Sequence, residues 1–386
     1  MIIGIDGNEA NVEKKVGIGE YAYEILREFH DLRFKNDDLR FKIYLKEPPR
    51  PEMPVPTSNF SYKIVGPKKM WTQFGLPLNL FLEKKPDVFF TPTHYAPRFS
   101  PIPTIISIMD LSFIHFPNLF AKKDLYQLTN WTKYSVRNAK AIFTISKFSR
   151  DDIIKIYGVN PDKVFVTYPG IKQSLSTKFK QLNMDDLRKK FGIEGEYILF
   201  VGTLQPRKNI TKLIEAFSKL KNDKLKLVIV GKKGWLYEEI LTAPKKYNVE
   251  NRVKFLDFVE DGDLPSLYKN ALCFVLPSLY EGFGLPVLEA MKNGCPVVTS
   301  NISSLPEAGG DAVLYFDPNN VDDIKEKIEK VISSPELRED MVKKGYNQIK
   351  KFSWEKTANE TVFSIGSASV GGWFRWCRSR CDLADR

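Results

Sequence analysis

Short apolar runs alternate with amphipathic stretches along almost the whole chain. In the first half, Ile2 to Ile5, Phe41 to Leu45, Val88 to Thr91, Thr104 to Ile108, Ala141 to Ile145 and Val164 to Tyr168 read as strands. Gly19 to Phe29, Tyr126 to Ala139 and Ser146 to Tyr157 read as helices among them. The second half repeats the rhythm, with strands at Tyr197 to Val201, Lys226 to Val230, Val253 to Leu256, Ala271 to Leu276, Pro296 to Ser300 and Val313 to Phe316. Helical patterns there cover Ile210 to Leu220, Leu264 to Asn270 and Val287 to Lys292. Runs such as Ile198-Leu199-Phe200-Val201 have no polar face, as expected of parallel strands covered on both sides. The alternation predicts an α/β protein of two doubly wound Rossmann-like domains. Ligands bind outside the carboxyl ends of such strands, so the site is expected in a cleft across which the two domains face each other.

The polar stretch from Ile171 to Met184 marks the boundary, near Ile171 to Gly195. The expected division is 1–175 for an N-terminal Rossmann-like domain, 190–360 for a C-terminal Rossmann-like domain, and 361–386 for an atypical, disordered tail. From Gly366 to Cys377 that tail has neither helical nor strand period. It reads as disorder, as an interfacial anchor or as a non-native reading-frame extension, the last being preferred.

Composition narrows the class. A chain of 386 residues with 43% hydrophobic and 13% aromatic residues is globular and long enough for two cores. No apolar run reaches the ~18 residues of a membrane span. Met1 to Gly7 reads as a first strand rather than a leader, so the protein is expected in the cytoplasm. Cys273 and Cys295 lie in apolar surroundings and read as core, and no Cys/His spacing suits zinc. The net charge of +11 points to an anionic partner. With no nucleic-acid module in the chain, the candidates are a phosphorylated small molecule and an anionic membrane surface.

The chemistry concentrates in Leu276-Pro277-Ser278-Leu279-Tyr280-Glu281-Gly282-Phe283-Gly284-Leu285-Pro286-Val287-Leu288-Glu289. A strand ends, a glycine-bearing loop follows, and Pro286 suits the first turn of a helix. The amides of that helix start form an anion site suited to a diphosphate. Gly282 and Gly284 let backbone approach a ligand. Glu281 precedes the helix and Glu289 lies about one turn inside it, so the pair can accept from the hydroxyls of a sugar and of a ribose. Arg207 and Lys208, just after the strand Tyr197 to Val201, offer two cations to a pyrophosphate.

This string resembles the E-x7-E signature of the family-four retaining glycosyltransferases of the GT-B fold, and the resemblance extends over roughly residues 1 to 360. It implies that Glu281 contacts the transferred sugar and Glu289 the ribose, and that domain 1–175 binds the acceptor and domain 190–360 the nucleotide sugar. Phe200 to Asn209, with Gly202, Arg207 and Lys208, resembles the family's diphosphate loop, although Asn209 also suits a helix cap. Asp257-Phe258-Val259 resembles the segment lining the base pocket, although Phe258 also suits ordinary packing, and Phe283, Gly284 and Leu285 are expected among the donor-binding residues. Gly231 to Gly234 follows its strand as the family's glycine loop does, and Ser300 to Glu307 resembles the next strand-end loop. In the first half, Gly17 and Gly19 resemble the glycine-rich loop ahead of the first helix. Asp110 ends a strand where the family has a His-Asp pair, which makes it a candidate catalytic residue for acceptor or sugar binding; here Met109 stands in the place of the His. Two readings stay open for His94, lining the cleft or structural, and for Ser146, Lys147 and Ser149, cleft-facing or capping.

The implied reaction transfers a hexose with retention, the charge on the leaving group being met by Arg207, Lys208 and the helix start, with neither Glu as nucleophile. Asp110-Leu111-Ser112-Phe113-Ile114-His115-Phe116-Pro117 looks like the mannosyltransferase branch, so GDP-mannose is the expected donor, UDP-glucose the alternative, and a glycan or lipid-linked hydroxyl the acceptor. No cofactor or metal is expected, and Asp261-Gly262-Asp263 reads as capping the helix from Leu264. Lys68 to Lys85 mixes Lys with Trp, Phe and Leu and reads either as packed on the N-terminal domain or as a peripheral contact with the inner face of the membrane. An inactive nucleotide-sugar-binding protein remains an alternative because of Met109. An epimerase or dehydrogenase would need G-x-G-x-x-G after the first strand, where Asp6-Gly7-Asn8-Glu9 stands instead.

Overall fold

The computed structural model describes residues 1–15, 17–32, 38–82, 85–171 and 182–369. The chain forms two compact units, one of Met1–Gly170 plus the segment from Ser353 onward, the other of Ile171–Phe352. In the first unit, β1 (Ile2–Asp6), β2 (Arg40–Leu45), β3 (Phe60–Ile64), β4 (Val88–Thr91), β5 (Thr104–Ser107), β6 (Ala141–Thr144) and β7 (Val164–Val166) form a sheet in the order β3-β2-β1-β4-β5-β6-β7. In the second, β8 (Tyr197–Val201), β9 (Lys226–Val230), β10 (Val253–Leu256), β11 (Cys273–Leu276), β12 (Val297–Ser300) and β13 (Val313–Phe316) are ordered β10-β9-β8-β11-β12-β13. Every pairing is parallel. The apolar runs explain this: β4, β5, β6, β11 and β12 are buried at every position, as only a sheet covered on both faces allows.

In each sheet the strand order reverses beside the unit's first strand, between β1 and β4 and between β8 and β11. There the loops leaving neighbouring strands diverge and open a crevice at the carboxyl edge. The two doubly wound α/β folds expected from the alternation are present.

Two departures have clear causes. β3 was not anticipated, because only Phe60 of its five residues is buried. An edge strand needs no continuous apolar run. The expected irregular stretch from 361 is helical as far as Ser369, within the helix Trp354–Ser369, and this helix packs on the first unit rather than the second. Trp354, Ala358 and Ile365 enter the core around Ile3, Tyr21 and Ile25, and the Trp354 ring meets Tyr21 edge-on at 5.9 Å. Small and apolar positions one to two turns apart suffice for that contact, although the local sequence is otherwise Gly- and Ser-rich. Residues 370–386, with Cys377 and Cys381, and most of the polar boundary (172–181) lie outside the described residues.

Candidate functional site

At the reversal point of the second unit, the loop after β8 meets the loop after β11. Pro206–Lys208 forms a single 3-10 turn that reverses the chain and turns Arg207 and Lys208 toward the neighbouring loop. Leu279 N donates to Arg207 O at 2.9 Å, pinning the two loops backbone to backbone. Lys208 Nζ donates to Glu281 Oε1 at 2.5 Å, and Arg207 Nη1 reaches Glu281 Oε2 at 3.4 Å and donates to Tyr280 O. Ser278 Oγ donates to Glu281 Oε1 at 2.6 Å. The backbone of Glu281 is clamped as well: its N–H donates to Ser303 Oγ at 3.0 Å, and its carbonyl accepts from Ser304 Oγ at 2.8 Å. Three loops, after β8, β11 and β12, thus converge on one residue, the first two on its carboxylate and the third on its backbone.

That carboxylate is only 7% exposed. Burial alone would push its pKa up, but the Lys208 and Arg207 charges outweigh it and hold the group down at about 2. Glu281 is therefore an anion at any physiological pH, an acceptor that cannot donate a proton.

The helix Leu285–Lys292 starts from the same loop. Gly284, its N-cap, has φ 102°, and an added Cβ would lie 2.7 Å from Leu305 Cδ2. The N-cap glycine has no side chain with which to cap the first turn, and Pro286 occupies that turn, as its fixed φ favours. Glu289 lies half-buried on this helix and accepts from Tyr268 Oη at 3.3 Å. Burial and the adjacent Glu289 charge raise Tyr268 well above the usual phenol range, so it stays a donor. The Phe283 ring is buried and meets Phe352 edge-on at 5.3 Å.

The loops after β8 and β9 are strapped together. Gly202 N donates to Val230 O at 2.9 Å, Leu204 N to Lys232 O at 3.0 Å and Gly234 N to Leu204 O at 2.9 Å. A Cβ at Gly231 would run into the Gly202 carbonyl, which is why glycine stands there. At the end of β10, Phe258 is 70% exposed while Val259 is buried.

Several alternatives are resolved. Asn209 occupies the cap position of the helix Ile210–Ser218, but its side chain does not cap; in a left-handed turn (φ 57°) it donates to Pro318 O at 2.8 Å. Asp263 likewise does not cap with its side chain, because its helical φ and ψ (−94°, −27°) aim the carboxylate away; it pairs with Lys190 at 2.6 Å. Ser146 does cap, accepting from Ser149 N at 3.0 Å. Cys273 and Cys295 are free and buried. Ser278 was missed, although its Ser-x-x-Glu spacing to Glu281 is the reciprocal pairing pattern familiar from helix starts.

In the first unit, Gly17 (φ 54°) and Gly19 stand at the start of the helix Ile18–Leu32, and a Cβ at Gly19 would lie 3.0 Å from Glu9 O. Asp110, after β5, accepts from Ser112 N at 2.8 Å. Met109 turns onto the apolar core. His94, after β4, has its pKa lowered by burial, against the pull of Asp110, and its Nδ1 is buried with no hydrogen-bond partner among the described residues. Asp6, ending β1, is raised to about 6 by burial, which the bonds from Asn8 only partly offset. Among the described residues, no three His, Cys, Asp or Glu side chains gather as metal ligands, and no helix is long and apolar enough to cross a membrane.

The family profile "Glycosyl transferases group 1" matches residues 183–348, and "Glycosyltransferase Family 4" matches residues 17–175. The O-antigen chain mannosyltransferase B of Escherichia coli is 35% identical over 261 residues, 67% of this chain and 68% of that protein. The serotype-specific mannosyltransferase WbdA of Escherichia coli is 33% identical over 230 residues, 58% of this chain but only 28% of that longer protein. Among solved structures, HepE of Anabaena in complex with UDP and glucose superposes with a TM-score of 0.72 at 18% identity, covering 95% of this chain and 99% of that one.

Proposed function

This chain belongs to the glycosyltransferases of group 1 and family 4, with the GT-B type of α/β fold, and from that premise we propose that it is a retaining mannosyltransferase. In this reading the donor is GDP-mannose, and the acceptor is a glycan or lipid-linked hydroxyl in surface-polysaccharide synthesis, on the cytoplasmic side of the membrane. The choice of mannose is supported by the two Escherichia coli relatives, both described as mannosyltransferases.

The observation that carries the reading is the buried constellation of Lys208, Arg207 and Glu281 at the reversal point of the second sheet. Glu281, permanently ionised and clamped on both sides, accepts from hydroxyls of the transferred sugar. Glu289 accepts from the ribose, and the exposed Phe258 with the backbone at Val259 meets the base. Lys carries three N–H donors and Arg five, so both cations can hold Glu281 and still donate to a diphosphate. As the bond from the anomeric carbon to the phosphate oxygen breaks, its electron pair moves to that oxygen. Arg207, Lys208 and the positive end of the helix Leu285–Lys292 meet the growing charge. The acceptor hydroxyl attacks from the same face and passes its proton to the departing phosphate. A double displacement would need a nucleophilic carboxylate, and Glu281 is held by cations on both oxygens. No metal is required on this reading, because protein cations supply the charge.

A donor screen tests it. Purified protein is incubated with GDP-mannose, UDP-glucose and other nucleotide sugars, with and without EDTA, and nucleoside diphosphate release is measured. GDP release that EDTA leaves unchanged is expected. Release from UDP-glucose alone would overturn the donor, and binding without any release would favour the inactive alternative.

A further inference from the structure

In the first unit a short helix, Ser112–His115, follows the carboxyl end of β5 and is tied at its start, middle and end. At its start, Ser112 N donates to Asp110 Oδ1 at 2.8 Å, so the helix fixes which way that carboxylate turns. In its middle, the Phe113 ring meets the His94 imidazole edge-on at 6.1 Å, and the Asp110 charge acts on the same imidazole. At its end, His115 Nε2 lies 2.7 Å from Asp152 Oδ2. Asp152 belongs to the neighbouring helix Lys147–Tyr157. Ser149, one turn earlier on the same face of that helix, donates through Oγ to Met109 O at 3.1 Å. Ser149 and Asp152 thus grip the segment 109–115 at its two ends.

A helix this short does not form unaided, and the turn behind it, Pro117–Leu119, buries no residue. Leu111 and Phe113 seat the segment in the core that also holds Ile153, which fixes its depth. Apolar burial is not directional, so it leaves the rotation of the segment, and with it the aim of Asp110, to be set by hydrogen bonds. The pair at the far end is suited to that task. The Asp152 side chain is 9% exposed against 38% for His115, so the acceptor is a buried carboxylate whose desolvation has to be offset by donors held close. A fixed carboxylate on a regular helix is a rigid mount, and the imidazole reaches it from the end of the segment opposite Asp110.

We propose that His115 and Asp152 are positioning residues: their bond holds the short helix, and through Ser112 the Asp110 carboxylate, in the orientation that receives a hydroxyl of the acceptor or of the transferred sugar. The latch stands on geometry; its use rests on the reading of Asp110 as a sugar-binding residue of a mannosyltransferase. Hydrogen exchange of the full chain, read by mass spectrometry, tests the latch. GDP release from GDP-mannose, with methyl α-mannoside as acceptor, tests its use. His115→Ala and Asp152→Asn should each speed amide exchange in 110–116 at least about fivefold, while the strands of both sheets exchange as in the wild type. Each should lower kcat/KM for the acceptor about tenfold and leave the dissociation constant of GDP unchanged. His115→Gln, which keeps an N–H donor near the Nε2 position, should recover most of both losses. Asp110→Asn should lower kcat/KM about a hundredfold, and adding His115→Ala to it should cost nothing more, because a residue that acts through Asp110 then has nothing left to position. Wild-type exchange in both single variants overturns the latch. Additive losses in the double variant overturn its action through Asp110. Wild-type turnover in Asp110→Asn removes the use together with the reading of Asp110, while faster exchange in 110–116 still upholds the latch. A wild type inert toward GDP-mannose overturns the donor, and the exchange measurement then decides the latch by itself.

Discussion

Glu281 bears a full charge where a lone carboxylate would be protonated or absent. Two cations and a hydroxyl compensate its desolvation, so its side chain is tied into the fold of the candidate site. This changes what a substitution tests. Glu281→Ala would remove the partner of a buried ammonium and confuse lost chemistry with lost fold. Glu281→Gln keeps the size; we expect turnover to fall at least ~100-fold and stability by about 3 kcal/mol, read by nucleoside diphosphate release and urea denaturation. Adding Lys208→Met should restore much of the stability and none of the turnover. The pH dependence follows from the depressed pKa. The contribution of Glu281 to stability is complete above its ordinary value of 4.5 and is lost as pH falls toward about 2. Denaturation midpoints between pH 6 and 2.5 should therefore fall more steeply for the wild type than for Glu281→Gln; parallel curves would remove the ion pair from the account.

At the level of elements, the site depends on loops that leave parallel strands at one sheet edge and are then tied together. Gly231 is the tightest of these ties, because its missing Cβ admits the Gly202 carbonyl. Gly231→Ala should separate the loops after β8 and β9, cost about 1–3 kcal/mol and weaken donor binding. Differential scanning calorimetry and nucleotide titration measure the two effects. Most strands were legible beforehand because burial on both faces leaves an uninterrupted apolar run. Val321–Ser333, Pro335–Ile349 and Glu238–Lys246 were not identified as helices, because their exposed faces carry so many Lys, Glu and Asp that the buried stripe, as at Ile324, Ile328 and Val331, is thin.

For the whole molecule, the chain path matters more than the linear division. The first unit is completed by residues from the far end of the chain. Trp354→Ala should cost that unit about 3–5 kcal/mol. A chain ending at Phe352 should lose protection in 1–170 while 182–352 keeps it, as hydrogen exchange with mass spectrometry would reveal. Uniform protection in the shortened chain would show the returning helix to be dispensable.

The sequence by itself determined the two parallel α/β sheets, because strand burial and helix amphipathicity are written in local periodicity. It also marked the residues of the candidate site, because Glu281, Arg207 and Lys208 sit at strand ends in recognisable strings. What only the tertiary structure decided were pairings between distant segments. Lys208 finds Glu281 across 73 residues, Ser303 and Ser304 clamp it from a third loop, Phe283 turns inward, and Trp354 returns to Tyr21. Each depends on which strands become neighbours at a reversal of the sheet or on which surface a helix covers. Local pattern does not encode that, because a helix face or a loop cation looks the same whatever partner the fold brings to it.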